Sequence, residues 1–225
     1  MLDLAVARSS INPDDAHFAR TRLLCLENTT DGKVLSLDDL RSGRELADEN
    51  GLGYHLDGAR LWNASVALGV EPADVAGPFD TVSVCLSKGL GAPIGSVLSG
   101  SDALIDEARK WRKMLGGAMR QVGLIAAAGQ HAIDNHIERL ADDHRNAETL
   151  AQGLAGIDGL EVDAQNTNMV FVRAIGDSAG LENRLSNRGV LTRWSGNASR
   201  MVLHLDVSEA DVATVITSIA EELNC

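Results

Sequence analysis

Hydrophobic positions along this chain fall into two regimes. In the first, short apolar runs are separated by stretches with helical periodicity. Leu23-Leu24-Cys25-Leu26 reads as a buried strand ending at Glu27-Asn28-Thr29, with the polar turn Thr30-Asp31-Gly32-Lys33 behind it. Ser36 and Asp39 have capping-box spacing, and Leu37, Leu40, Leu46 and Ala47 give an amphipathic helix stopped at Gly51. Gly53-Tyr54-His55-Leu56 leads into Asp57, a helix follows from near Arg60 to Gly69, and the β-branched run from Phe79 to Leu86 ends at Ser87-Lys88. This alternation predicts parallel strands with helices packed on their faces. After a further strand at Gly95-Ser96-Val97-Leu98, the chain turns helical through Trp111 and Met114, breaks at Gly116-Gly117 and resumes near Met119.

The second regime follows two long helical stretches, Leu124 to Ile133 and Glu138 to Leu154. Short strands are expected at Leu160-Glu161-Val162, Met169-Val170-Phe171-Val172 and Met201-Val202-Leu203, with helices over Leu181 to Arg188 and Ser208 to Leu223. The change places a boundary near Asn135, between a larger α/β domain (residues 1–135) and a small C-terminal α+β domain (residues 136–225).

Composition narrows the function. A net charge of −12 disfavours nucleic acid and anionic membrane as partners. No window is apolar for long enough to span a bilayer, and Met1-Leu2-Asp3-Leu4-Ala5 is not a secretory signal, so the expected location is cytoplasmic. Cys25, Cys85 and Cys225 are odd in number and widely spaced, with two of them in apolar runs. They read as free, buried thiols, with neither a disulfide framework nor a zinc site.

In parallel sheets, ligands gather at the carboxyl ends of the strands. Glu27-Asn28, Asp57 and Lys88 all fall at such ends. The chain has four lysines, Lys33, Lys88, Lys110 and Lys113, and only Lys88 closes a buried apolar strand ahead of a flexible segment, Gly89-Leu90-Gly91-Ala92-Pro93. A lysine partly withdrawn from water presents an amine that condenses with carbonyls; the plainer alternative is a strand-end lysine snorkelling to solvent. Asp57-Gly58-Ala59-Arg60 puts a carboxylate at a strand end, a glycine where backbone approaches closely, and a guanidinium one helical turn on. A pyridoxal cofactor needs such an acid at its ring nitrogen and cations for its phosphate and the substrate carboxylate. The same four residues also suit a helix N-cap with an i, i+3 ion pair. Gly89, Gly91 and Gly95 do not form a dinucleotide loop, because Pro93 interrupts them and a strand follows.

Several segments together resemble the low-specificity and L-allo-threonine aldolases. They are Cys25-Leu26-Glu27-Asn28-Thr29, His55-Leu56-Asp57-Gly58-Ala59-Arg60, Cys85-Leu86-Ser87-Lys88-Gly89-Leu90-Gly91, Trp111-Arg112-Lys113-Met114, Gly116-Gly117-Ala118-Met119-Arg120-Gln121, Asn166-Thr167-Asn168-Met169 and His204-Leu205-Asp206-Val207-Ser208. The similarity is collinear from about Ile11 to near the C-terminus. It implies an aminotransferase-like (fold type I) α/β enzyme with a mainly parallel sheet, dependent on pyridoxal 5'-phosphate. The implied reaction is cleavage of L-threonine or L-allo-threonine to glycine and acetaldehyde, with a homodimer or homotetramer as the full-length form.

By the same resemblance, Lys88 would carry the cofactor as a Schiff base, Asp57 would pair with its ring nitrogen, and Arg60 and Arg200 would hold the substrate carboxylate. His17 matches a histidine near the substrate hydroxyl, where a base near neutrality suits the proton transfer; a surface-loop or capping role is the alternative. Arg200 is expected to begin a strand and to share a face with Val202 and His204. A guanidinium there could bind carboxylate by two parallel hydrogen bonds, while His204 could be structural or touch ligand. Asn28 could meet the cofactor's phenolic oxygen or close its own turn, and Lys113 and Arg120 could reach a phosphate or be solvated charges.

Aldolases of this family carry about a hundred further residues before the counterpart of Met1. That segment supplies the phosphate-anchoring amides and the ring stacked on the pyridine. The resemblance therefore implies an incomplete large domain. Three readings follow: an aldolase that works in full with that segment supplied, a non-catalytic remnant, or another β-eliminating lyase on the same scaffold.

Overall fold

A computed structural model describes residues 3–176 and 178–223, so Cys225 lies outside the described residues. The chain forms two compact units. The first runs to Ile137 but omits Asp31–Lys33, which belong with the second. The boundary thus falls two residues past Asn135, and the transfer of three turn residues has no counterpart in the sequence pattern.

The first unit contains α1 (Leu4–Ser9), β1 (Leu23–Glu27), α2 (Leu37–Glu49), β2 (Gly53–Gly58), α3 (Leu61–Leu68), α4 (Pro72–Ala76), β3 (Thr81–Cys85), β4 (Ser96–Gly100), α5 (Asp102–Met114) and α6 (Gly123–His136). Its sheet has the order β1-β2-β3-β4, with the first three strands parallel and β4 antiparallel to β3. The Ser36–Asp39 capping box forms as its spacing predicts: the Asp39 N–H donates to Ser36 Oγ at 3.1 Å and the Ser36 N–H to Asp39 Oδ2 at 3.2 Å. The short helices α1 and α4 were not expected. Nor does α6 resume near Met119; it starts at Gly123, after a turn in which Gln121 holds a positive φ.

The helices do not cover both faces of this sheet. Parallel strands in consecutive order, joined by crossovers of the usual right hand, receive their helices on one face only. Leu26, Tyr54, Leu56 and Val82 turn to that face and pack with Leu40 and Ala47 of α2, Leu61 of α3 and Val75 of α4. On the other face, Leu23, Cys25 and Glu27 of β1 are exposed, and so is Asp57 of β2. Cys25 is therefore not the buried thiol its apolar run suggests. Every residue of β4 is exposed and α5 buries none, leaving Val97, Leu98, Trp111, Met114 and Leu115 open to solvent.

The second unit contains α7 (Leu140–Ala155), β5 (Leu160–Asn166), β6 (Met169–Ala174), α8 (Leu181–Asn187), β7 (Trp194–Ser195), β8 (Ala198–Val202) and α9 (Glu209–Leu223). Its antiparallel sheet has the order β5-β6-β8-β7. Leu150 and Leu154 of α7, Val170 and Val172 of β6, Leu181 and Leu185 of α8 and Ile219 of α9 form its core. Asp143 is fully buried but paired with Arg139 one turn earlier, which satisfies its charge. The turn residues Asp31 and Gly32 join this unit because their carbonyls accept from Asn166 Nδ2 at 3.3 Å and Thr167 Oγ1 at 3.0 Å.

One close approach in the first unit is testable. The Tyr54 ring is fully buried, stacked on Phe79 with centroids 4.1 Å apart, and its hydroxyl donates to the Leu40 carbonyl at 3.0 Å. A Cβ at Gly43 would meet Tyr54 Oη at 2.2 Å and Cζ at 2.9 Å. Gly43→Ala should therefore destabilise by about 1–3 kcal/mol, outweighing the gain of about 1 kcal/mol that alanine brings to a helix interior. A lowered urea midpoint is expected; an unchanged or raised one would contradict this packing.

Candidate active site

Parallel register brings three of the candidate residues to one edge of the first sheet. Glu27 pairs with Asp57, Asp57 with Ser83, and Gly58 with Val84. The Asn28 N–H extends the ladder by donating to the Asp57 carbonyl at 3.1 Å. Lys88 follows three residues after Cys85, the last residue of β3. The carboxyl ends of β1, β2 and β3 thus present Asn28, Asp57 and Lys88 along the same edge.

Asp57 is exposed, and its carboxylate accepts the Ala59 N–H at 3.0 Å, a turn that orients it without using both oxygens. It is not the N-cap of α3. That position belongs to Arg60, which is half-buried and gives no side-chain cap. Gly58 is required by space: a Cβ there would lie 3.0 Å from the Ser83 carbonyl and 3.2 Å from Leu61 Cβ. The sequence reading anticipated this close approach.

Lys88 is exposed, where the sequence reading expects it partly withdrawn from water. Its loop is held by backbone bonds, from the Gly91 N–H to the Lys88 carbonyl at 2.9 Å and from the Ala92 N–H to the Leu86 carbonyl at 3.0 Å. Two side chains from helices also reach this loop. Trp62 Nε1 donates to the Cys85 carbonyl at 3.2 Å, and His136 Nδ1 lies 2.6 Å from the Leu90 carbonyl. Sequence reasoning singled out neither. Trp62 looks like a helical apolar position, and His136 stands in no motif.

Asn28 is fully buried, and its amide closes its own loop. Oδ1 accepts the Leu35 N–H at 3.1 Å and Nδ2 reaches the Leu35 carbonyl at 3.5 Å. His17 lies on an exposed loop, where its backbone N–H donates to Asp15 Oδ1 at 2.8 Å and its Nδ1 lies 2.8 Å from the same oxygen; the backbone bond first, and the ring contact second, hold the Asp15 carboxyl below its ordinary value. No bond joins His17 to Asp57 or Lys88 among the described residues. Lys113, in the last turn of α5, and Arg120, in the turn before α6, are both exposed and form no ion pair among the described residues.

Arg200 belongs to the second unit. It sits in the middle of β8 rather than at its start, exposed between the buried Ser199 and Met201. His204 lies beyond the strand, with Nδ1 3.6 Å from Asp206 Oδ2, so the expected shared face of Arg200, Val202 and His204 does not extend to the histidine. The strand ends at Val202, and the Leu203 N–H just beyond it still donates to the Asn168 carbonyl at 2.8 Å.

An amine and a carboxylate closing adjacent parallel strands form a donor set that can condense with an aldehyde and neutralise a ring cation. Residues 1–176 match the family described as beta-eliminating lyase. The chain belongs to that family. The low specificity L-threonine aldolase of Escherichia coli K12 is 47% identical over 216 residues, covering 95% of this chain and 64% of the relative. The low-specificity L-threonine aldolase 1 of Arabidopsis thaliana is 40% identical over 223 residues, covering 94% and 62% respectively. This chain therefore spans somewhat under two thirds of the length of these relatives. Among solved structures, the threonine aldolase of Leishmania major superposes with a TM-score of 0.76 at 20% identity, covering 99% of this chain and 66% of that one. The likeness establishes the aminotransferase-like (fold type I) α/β fold.

Asn28 holds the loop that follows β1, at the carboxyl edge of the sheet, through its two bonds to Leu35. Asn28→Ala removes both bonds to Leu35 from a buried loop and should cost about 1–3 kcal/mol. Thermal unfolding followed by circular dichroism checks this, and an unchanged melting temperature would count against the role.

Proposed function

We propose that this chain binds pyridoxal 5'-phosphate through Lys88 and takes part in cleaving L-threonine or L-allo-threonine to glycine and acetaldehyde. The observation that carries this reading is the placement of Lys88 and Asp57 at the carboxyl ends of neighbouring parallel strands, in a chain 47% identical to a threonine aldolase.

The residues fit the cofactor by their chemistry. The exposed Lys88 amine suits an aldehyde, and the exposed Asp57 carboxylate, already held by the Ala59 N–H, suits a protonated ring nitrogen. Pyridoxal phosphate, when bound, supplies the electron sink for the pair released from the Cα–Cβ bond. Asp57 keeps the ring nitrogen protonated, so that this sink stays available. The guanidinium groups of Arg60 and of Arg200 are each of the kind that binds a substrate carboxylate through planar, two-point contacts. His17 takes the hydroxyl proton, a transfer suited to imidazole. Lys113 and Arg120 would attract the cofactor's phosphate, and Asn28 holds the loop that follows β1.

The uncovered sheet face and the open apolar surface of β4 and α5 favour a working form larger than one chain. A homodimer or homotetramer is the assembly that fits the reading. The free thiols Cys25 and Cys85 suit a cytoplasmic location, and among the described residues no helix is long and apolar enough to cross a membrane.

Two experiments test these statements. Borohydride reduction after addition of pyridoxal phosphate should fix the label on the peptide containing Lys88, with acetaldehyde released from threonine before reduction. Asp57→Asn should keep the label and lose most of the acetaldehyde, because an amide cannot balance a ring cation, a deficit of several kcal/mol at the barrier. Labelling at Lys33, Lys110 or Lys113 would overturn the assignment, and labelling without acetaldehyde would favour a cofactor-binding protein without this activity. Light scattering of the purified chain should give a mass above that of one copy; a monomer at every concentration would contradict the assembly.

A further inference from the structure

The loop that carries Lys88 is anchored from both sides by helices. Upstream, Trp62 of α3 donates to the Cys85 carbonyl at 3.2 Å. Downstream, His136, in the last turn of α6, places Nδ1 2.6 Å from the Leu90 carbonyl. A carbonyl oxygen only accepts, so Nδ1 carries the hydrogen and the ring is held in that tautomer. His136 is half-buried, and its ring stands edge-on to His131 with centroids 5.3 Å apart, so the imidazole has a packed orientation as well as a bonded one.

This bond does what the loop's own bonds cannot. Those from Gly91 to Lys88 and from Ala92 to Leu86 close the loop on itself, and the Leu86 N–H ties its start to the Gly95 carbonyl ahead of β4 at 2.9 Å, but none of the three reaches a helix. The bond from His136 spans 46 residues and ties the loop to a separate helix. Leu90 is 1% exposed, so its carbonyl points into protein, where an unmet acceptor is costly. A second contact joins the same elements: a Cβ at Gly129 of α6 would fall 2.8 Å from Leu86 Cδ1, so helix and loop already touch closely there.

We propose that His136 is a positioning residue for Lys88: by holding the Leu90 carbonyl, it sets the direction in which the lysine amine leaves the sheet edge. The role rests on Lys88 being the covalent site for pyridoxal phosphate. The clamp itself is a property of the cofactor-free chain.

The test compares His136→Phe, which keeps a ring but no donor, with His136→Gln, which restores an N–H. Amide hydrogen exchange of residues 86–92 is read without cofactor, and denaturation midpoints monitor global stability. Reductive trapping of pyridoxal phosphate at Lys88 is followed beside acylation of the same amine by a small activated ester. In His136→Phe, loss of one neutral hydrogen bond should speed exchange in the loop by about three- to tenfold. Trapping at Lys88 should slow severalfold relative to acylation, and His136→Gln should recover most of both. Unchanged exchange would overturn the clamp, and faster exchange with unchanged trapping would overturn the positioning role. Equal effects in the two variants would also overturn it, because packing and not the donor would then matter. If the unsubstituted chain acylates at Lys88 but is never trapped by pyridoxal phosphate, the cofactor assignment fails, and exchange and acylation still decide whether His136 orders the loop.

Discussion

The parallel register of β1, β2 and β3 is the constraint from which most of the first unit follows. Strands that run the same way end at the same edge, so Asn28, Asp57 and the segment leading to Lys88 are brought together by hydrogen bonding of the backbone. The consecutive order β1-β2-β3 has a second effect, because crossovers of one hand stack α2, α3 and α4 on one face. The candidate site and the bare face are thus two results of one winding rule. Parallel sheets are ordinarily covered on both sides, whereas Leu23, Cys25 and Glu27 on the open side of this one are exposed.

Much of this was legible in the sequence. The capping box at Ser36, the strand ends near Glu27 and Asp57, and the tight glycine at Gly58 are local signals whose physics does not depend on the rest of the fold, whereas β3 stops at Cys85, short of the expected end at Ser87. Long-range burial was harder to read. Lys88 and Cys25 were expected to be shielded because their neighbours are apolar, yet shielding requires an element on the second face, and no local pattern says whether one is present. The strand containing Arg200 was read two residues late, because its bounds are set by pairing with β6, which no local pattern shows. His136 was invisible for the same reason, since its partner is a carbonyl that any residue would offer.

The two units illustrate different ways of closing a core. In the first, one fully buried aromatic ring fills the space between sheet and helix, and a helical glycine makes room for it. In the second, aliphatic side chains from three helices meet an antiparallel sheet, with the paired Asp143 as the one charged side chain fully buried there among the described residues. The second unit has a tight glycine of its own, since a Cβ at Gly153 of α7 would meet Ile216 Cδ1 of α9 at 2.3 Å.

Tyr54 has a consequence beyond packing. It is the single tyrosine of the chain, and burial pushes its phenol well above the ordinary range while its hydroxyl stays bonded to Leu40. The near-ultraviolet signature of phenolate formation in alkaline solution therefore originates at one known point, in the core of the first unit. An alkaline absorbance titration thus reports the integrity of that core with an ordinary spectrophotometer and no introduced label.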